Sequence, residues 1–270
     1  MGKPFNNMEP IPPSPEPQSV EPPAIPMSLT GRLMNVFAAP GEVFSEIKTV
    51  PPQVANWLTP AILLIVVSWV SAWLIFSQAS VQQQISDISN KAIDKQVEKG
   101  KLSGAQAEQA RAAAEKFGSI GYKIGAAVVP VLTAFATPFW GGLILWLVGS
   151  FALKAPFPYL KAVEIAGLAN MILVLDVVVR TMLILITGNL FATLSLSLAI
   201  KDFDPQNSFH SMLTMMNVMA IWLLAIRSIG LARLTGASVG KAAAWVFGIW
   251  IVLTGIMIGF GAAMKAAFGG

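Results

Sequence analysis

The residues most capable of chemistry stand inside an otherwise apolar stretch, ANMILVLDVVVRTMLILITGN. Its two charged residues, Asp176 and Arg180, are four positions apart and so share one face of a helix. A single charge near the middle of a bilayer costs about 3 kcal/mol on insertion scales, so we expect the two side chains to pair. The pair supports two interpretations, an ion or proton pathway or a structural contact that fixes helix register. We favour the structural contact, because the rest of the chain supplies few polar residues to continue a pathway.

Other candidates for chemistry are few. The chain has no cysteine, which excludes thiol catalysis and thiolate metal sites, and its one histidine, His210, is interpreted as a loop residue. Lys161 and Glu164 are three positions apart, and we interpret them as a solvated pair at the membrane interface. The sequence contains no glycine-rich phosphate loop, zinc-protease motif or nucleophile elbow. We therefore expect no enzyme activity, no catalytic or metal-binding residue and no cofactor.

Composition indicates where these residues lie. The 270 residues are 55% hydrophobic and only 12% charged, with a mean hydropathy of +0.66, whereas a soluble domain has about a quarter charged residues. Net charge is +4 without a basic cluster, so nucleic acid is not expected as a partner. Five apolar segments are each long enough to cross a bilayer: 57–78, 124–150, 162–187, 212–231 and 242–264. We predict an all-α polytopic membrane protein whose five-span domain occupies residues 57–265.

Two patterned regions precede that domain. Residues 1–27 are rich in proline, and we expect a disordered cytoplasmic tail. Residues 28–56 are too polar to span a membrane but show helical spacing of apolar residues, with Pro40 suited to the first turn of a second helix. We predict two amphipathic helices that lie in the membrane interface and could also dock on the inner ends of the bundle. The side chains of the interfacial face are Leu29, Leu33, Phe37, Phe44 and Ile47.

A polar insertion, residues 79–123, separates the first two spans. Two helical stripes of apolar residues are interrupted at Gly100, and Ser103 with Gln106 has the spacing of a capping box. We predict a helical hairpin outside the membrane. In the last span, Gly255 and Gly259 have the spacing of a close helix contact, which we expect within this chain rather than between copies.

An odd number of spans places the two chain ends on opposite sides of the membrane. Basic residues in short loops favour the cytoplasmic side, and they collect on the N-terminal face as Lys154, Lys161, Arg233 and Lys241. The opposite short loop has Lys201 alone. Arg227 can reach the N-terminal face by snorkelling. We predict a cell inner-membrane protein with a cytoplasmic N-terminus.

Two stretches carry a resemblance to a known family. They are GRLMNVFAAPGEVFSEIKTVPPQVANWLTP near the start and NVMAIWLLAIRSIGLARLTGASVGKAAAWVFGIW around the fourth span. Together they resemble prokaryotic members of the Yip family, polytopic proteins named for interaction with Ypt/Rab GTPases in eukaryotes. The resemblance covers roughly residues 29–265, with the polar hairpin as an insertion. It implies five membrane helices, a cytosolic N-terminal region and no known catalysis.

These observations lead to two hypotheses of function. The first is a non-enzymatic membrane protein that organises partners or membrane shape through its amphipathic helices, its hairpin and the surface of its bundle. The alternative is a small transporter or channel that uses the pair Asp176 and Arg180. The lipid bilayer is the expected partner, and other membrane proteins or a second copy of the chain are left open.

Overall fold

The helices follow one another with short connections. The computed structural model describes residues 26–200, 203 and 207–268, so nearly all of the proline-rich tail predicted for residues 1–27 lies outside the described residues. Within that part of the chain the regular structure is helical, with one isolated antiparallel bridge, between Ser195 and Asn217. The α-helices are α1 Leu29–Ala38, α2 Pro40–Thr49, α3 Ala55–Phe76, α4 Ala79–Glu98, α5 Gly104–Leu147, α6 Tyr159–Ala169, α7 Met171–Thr187, α8 Ser208–Met215, α9 Val218–Thr235 and α10 Val239–Phe268.

Five stretches of helix are long and apolar enough to span a bilayer, which confirms the five predicted spans. The third is interrupted at Asn170, between α6 and α7, and the second continues into a π-helical turn. Their bounds are Ala55–Phe76, Ile120–Ala152, Tyr159–Thr187, Val218–Thr235 and Val239–Gly261. The chain is therefore a multi-pass membrane protein.

The fourth span begins later than predicted. The Asn217 side chain caps α9 by accepting a hydrogen bond from the Met219 backbone N–H, 2.8 Å away. The preceding residues form the separate helix α8, which the Asn207 side chain caps. His210 therefore lies in a helix and not in a loop, and its ring stacks on Phe203 at a centroid distance of 5.8 Å. Apolar periodicity alone does not separate α8 from α9, because apolar residues lie on both sides of the Asn217 cap.

The N-terminal helices α1 and α2 form a hairpin, the N-terminal hairpin, that docks on the bundle. Phe44 and Ile47 are completely buried, in one core with residues of α6 and α9. Of the two positions left open for the N-terminal helices, these side chains of α2 are docked on the bundle, which removes their apolar face from water. Leu29, Leu33 and Phe37 are partly buried, and the Phe37 ring meets Trp222 of α9 edge to face at 6.0 Å.

The helices α4 and α5 form the predicted polar hairpin, which we call the insertion hairpin. Gly100 has a φ of +68° after α4, a conformation that favours glycine. Both hydrogen bonds of the predicted capping box at Ser103 are present. Arg111 joins the two arms through an ion pair with Asp94 at 2.6 Å, and this hydrogen bond raises the pKa of the guanidinium. The second arm continues into the second span as one helix of 44 residues.

The last span packs differently from the other four. Of the described elements α9 is its main neighbour, and only 6% of its apolar window is buried. A methyl group added at Gly255 or Gly259 would meet no atom within 4 Å. The prediction that these glycines pack within the chain is therefore wrong. Most of α10 is surface that remains available to lipid or to another protein.

Candidate functional site

The charge pair identified in the sequence forms the expected contact but lies near the outside. Arg180 Nη2 is 3.0 Å from Asp176 Oδ2, and the Asn217 amide donates to Asp176 Oδ1 at 3.4 Å. The Arg180 side chain is 47% exposed and that of Asp176 is 14% exposed. The pair therefore lies at the edge of the bundle, with Arg180 largely uncovered by the other described helices.

A larger polar cluster connects the N-terminal hairpin to the membrane domain. It joins residues of α1, α2, the segment before α3, α3 itself and α6, and we call it the docking network. Four of its six members are buried, although all six are polar or charged. The members are Arg32, Glu46, Gln53, Asn56, Lys161 and Glu164.

Arg32 is the centre of the network on the hairpin side. Its guanidinium pairs with Glu46 on α2 at 2.8 Å, and Nη1 donates to Gln53 Oε1 at 2.7 Å and to Asn56 Oδ1 at 3.3 Å. The same Glu46 oxygen accepts from the backbone N–H of Met27 at 3.0 Å. One side chain therefore holds α1 to α2 and both to the start of the first span. Arg32 is 3% exposed, so these contacts lie largely out of water.

Glu164 occupies the equivalent position on the bundle side. Its Oε1 accepts from the Gln53 backbone N–H and from the Asn56 amide, each at 2.7 Å. Its Oε2 lies 2.8 Å from Lys161 Nζ, and that ammonium also donates to the Ile47 carbonyl of α2 at 2.7 Å. Two positive and two negative groups thus balance within the network. Hydrogen bonds to the charged groups offset the cost of burying them.

The interpretation of Lys161 and Glu164 as a solvated pair is wrong. Their side chains are 7% and 1% exposed, because the N-terminal hairpin covers the start of α6. Their spacing is visible in the sequence, but their burial depends on a segment more than a hundred residues earlier. The available signal was an apolar run, residues 162–169, immediately around the glutamate, which favours burial over an interfacial position.

Close helix packing positions the two halves of the network. Gly167 lies on α6 against the start of α3, where a methyl group would come within 2.3 Å of Trp57 Cβ and 3.2 Å of the Asn56 carbonyl oxygen. Gly230 on α9 likewise lets the side chains of Ile165 and Phe44 pack closely against the helix backbone. Only glycine permits these approaches. The network depends on them, because Asn56 and Glu164 otherwise could not meet at 2.7 Å.

A second polar cluster lies between three of the spans. Arg227 of α9 donates to Asn170 Oδ1 at 3.0 Å, and the Asn170 amide donates to Thr137 Oγ1 of α5, also at 3.0 Å. Gly141 lies directly against the guanidinium, where an added methyl group would be 2.9 Å from Cζ. Arg227 therefore points toward α5 and the break in the third span, and the prediction that it snorkels to the cytoplasmic face is wrong.

Comparison with known proteins agrees with this architecture. A family model described as the Yip1 domain matches residues 34–261, which include the docked helix α2, all five spans and the insertion hairpin. None of the curated proteins and none of the solved structures matches the chain. The match covers most of the chain, and the chain therefore belongs to the Yip1 domain family of multi-pass membrane proteins.

Proposed function

We propose that this protein is a non-catalytic organiser of partner proteins in the cell inner membrane, with its N-terminus in the cytoplasm. The observation that carries the proposal is the continuity of α5. One uninterrupted helix of 44 residues forms both the outer arm of the insertion hairpin and the second span, about 66 Å in length. A protein bound to the hairpin is thereby connected to the membrane domain through one continuous helix.

The placement of the N-terminal hairpin supports this assignment. The buried apolar side chains of α2 and the partly buried ones of α1 lie against the bundle, which leaves less apolar surface on these helices for contact with lipid. Among the described elements, the insertion hairpin and α10 leave much of their surface uncovered. Partner binding therefore fits the fold better than direct shaping of the bilayer by α1 and α2.

The surface of α5 near the membrane boundary has the character of a contact site. Phe117 and Ile120 are each about half exposed, although they belong to the last turns before or at the start of the span. Nearby, Arg111 and Lys116 contribute positive charge, and Glu108 and Glu115 contribute negative charge. Mixed charge beside exposed apolar groups is typical of the surfaces that bind proteins.

The experiment is to shorten the insertion hairpin without disturbing its base. Residues 91–112 are replaced by a four-residue glycine–serine turn, which removes the tip and keeps Val81 and Ile85 in their core with Ile184. Crosslinking in native membranes and identification of the recovered proteins then compare the variant with the intact chain. We expect the variant to insert and fold but to lose its crosslinked partners.

A matched control tests α10 by the same procedure. Gly255→Leu changes an uncovered position of the last span and leaves the hairpin intact. Loss of the partners in the hairpin variant but not in this control supports the proposal. Recovery of the same partners from the shortened hairpin, with the fold intact, would overturn it.

A further inference from the structure

Arg227 differs from the other charged residues that lie within the bundle. Arg32 pairs with Glu46, and Lys161 pairs with Glu164. In the part of the chain that the structure describes, Arg227 forms no ion pair, and its one hydrogen-bonded partner is the neutral amide of Asn170. Its Nε is shielded from solvent and has no acceptor. The guanidinium therefore retains an unbalanced positive charge.

The position of Arg227 along its helix makes this charge significant. It lies nine residues after Val218, the first residue of α9, and eight before Thr235, the last, so it is about 12 to 14 Å from either end. Asn170 and Thr137 belong to the interiors of two other spans. An ionisable side chain at such a depth is expensive unless paired, and it marks a functional site by default.

The surroundings hold the guanidinium in place without neutralising it. Asn170 donates its own N–H to Thr137, which fixes its carbonyl oxygen toward Arg227. Gly141 lets the guanidinium pack directly against α5, where an added methyl group would be 2.9 Å from Cζ. Among the described residues, only Nη2 of Arg227 has a hydrogen-bond acceptor. The planar fork, with its remaining donors, matches a carboxylate or a phosphate in geometry and in charge.

We propose that Arg227, held in position by Asn170 and Thr137, binds the oxyanion of a lipid-phase amphiphile. Arg227 as a whole residue is partly exposed, so a ligand would approach it along the uncovered edge of α9. A ligand that reaches this depth needs an apolar chain, because a free inorganic anion would have to leave water. The ligand class is therefore an acyl-chain carboxylate or phosphate. This proposal stands independently of partner binding by the insertion hairpin.

The experiment measures binding to the purified full-length protein in non-ionic detergent. Palmitate, lysophosphatidate, methyl palmitate and inorganic phosphate are titrated separately, and binding is measured by native mass spectrometry and by the shift in thermal unfolding. We expect both charged amphiphiles to bind and to raise the unfolding temperature. Methyl palmitate, which has the chain without the charge, and inorganic phosphate, which has the charge without the chain, should bind at least tenfold more weakly.

Two variants locate the site. Arg227→Gln removes the charge and should weaken palmitate binding at least tenfold. Arg227→Lys keeps the charge without the planar fork and should give an intermediate loss of palmitate affinity. Arg180→Gln is the matched control, because it removes an arginine from the exposed pair on α7 and should leave binding unchanged. Should Arg227→Gln fail to fold, Gly141→Ala tests the same point by filling the space beside the guanidinium.

Three results would overturn the proposal. The first is equal binding of palmitate and methyl palmitate by the unmodified protein. The second is no binding of either charged amphiphile, and the third is the same loss of binding in Arg227→Gln and Arg180→Gln. Preference for palmitate over lysophosphatidate, or the reverse, identifies which oxyanion the site prefers.

Discussion

The docking network and the pair on α7 contain the same chemical groups in different surroundings. The Arg32 side chain is 4% exposed and has acceptors from three segments, whereas the Arg180 side chain is 47% exposed and pairs within its own helix. Removing one member of a pair that protein encloses leaves a desolvated charge with no other partner, whereas a long side chain at the edge of the bundle can turn toward the membrane interface. The comparison shows that spacing along a helix identifies a pair, while burial by distant segments decides its importance.

The largest expected loss of stability follows from removing the carboxylate of Glu164. Glu164→Gln leaves the Lys161 ammonium buried without its counter-charge, and we expect a loss of about 3 to 5 kcal/mol in the free energy of unfolding. Reversible unfolding in detergent measures it. The matched control is Glu108→Gln, which breaks an exposed i,i+3 pair with Arg111 and should cost less than about 1 kcal/mol. Equal effects would show that burial is not the deciding factor.

A second prediction concerns how strongly the docking network stabilises the docked position of the N-terminal hairpin. The chain has no cysteine, so Val43→Cys introduces a single thiol at a completely buried position of α2. We expect slow maleimide labelling in this background and labelling on the order of tenfold faster when Arg32→Gln is added, because each 1.4 kcal/mol lost from docking raises the undocked fraction tenfold.

The control for that measurement is Arg180→Gln in the same Val43→Cys background. It removes one arginine without touching the docking network, so the labelling rate should not change. A labelling rate that is also unchanged by Arg32→Gln would show that apolar packing alone holds the hairpin.

A third prediction sharpens the role of close helix approach. Gly167→Ala places a methyl group 2.3 Å from Trp57 Cβ, and we expect a loss of about 1 to 3 kcal/mol because α6 must move away from α3. Gly259→Ala adds the same atom in open space on α10 and should be neutral or slightly stabilising. Thermal unfolding of the two variants in the same detergent measures the difference. Equal shifts would contradict the packing argument.

The smallest expected effect belongs to the pair on α7. Arg180→Gln should lower the free energy of unfolding by less than Glu164→Gln or Gly167→Ala, because Arg180 lies at the edge of the bundle and Asn217 still donates to Asp176. Unfolding in detergent measures it. The same variant in proteoliposomes tests the transport hypothesis, since altered flux of any solute would favour a pathway through this pair.

Local signals in the sequence predicted much of the fold. Apolar length predicted the five spans, and glycine and capping chemistry predicted the insertion hairpin at Gly100 and Ser103. These features depend on residues that are neighbours in the chain, so a single sequence contains them. The start of the fourth span differs from the prediction, because the Asn217 cap that separates α8 from α9 lies between apolar residues.

The candidate sites were predicted less well, for a physical reason. The docking network joins segments separated by as many as 114 residues, as in the bond from Lys161 to the Ile47 carbonyl. Nothing local shows that Arg32 and Glu164 share the same partners. The sequence likewise indicates a snorkelling residue at Arg227. Its inward direction depends on the hydrogen bond to Asn170 and on the close approach to Gly141, which lie in other spans.

The docked position of the N-terminal hairpin has a consequence for the order of biogenesis. α1 and α2 leave the ribosome first, yet the surfaces that cover Phe44 belong to α6 and α9, which are synthesised much later. At about 5 to 20 residues per second, the hairpin waits many seconds for its partners. Its apolar stripe is then free to rest on the lipid surface. The amphipathic spacing that resembles a membrane anchor would thus hold the unfinished chain at the membrane surface until α6 and α9 are in place.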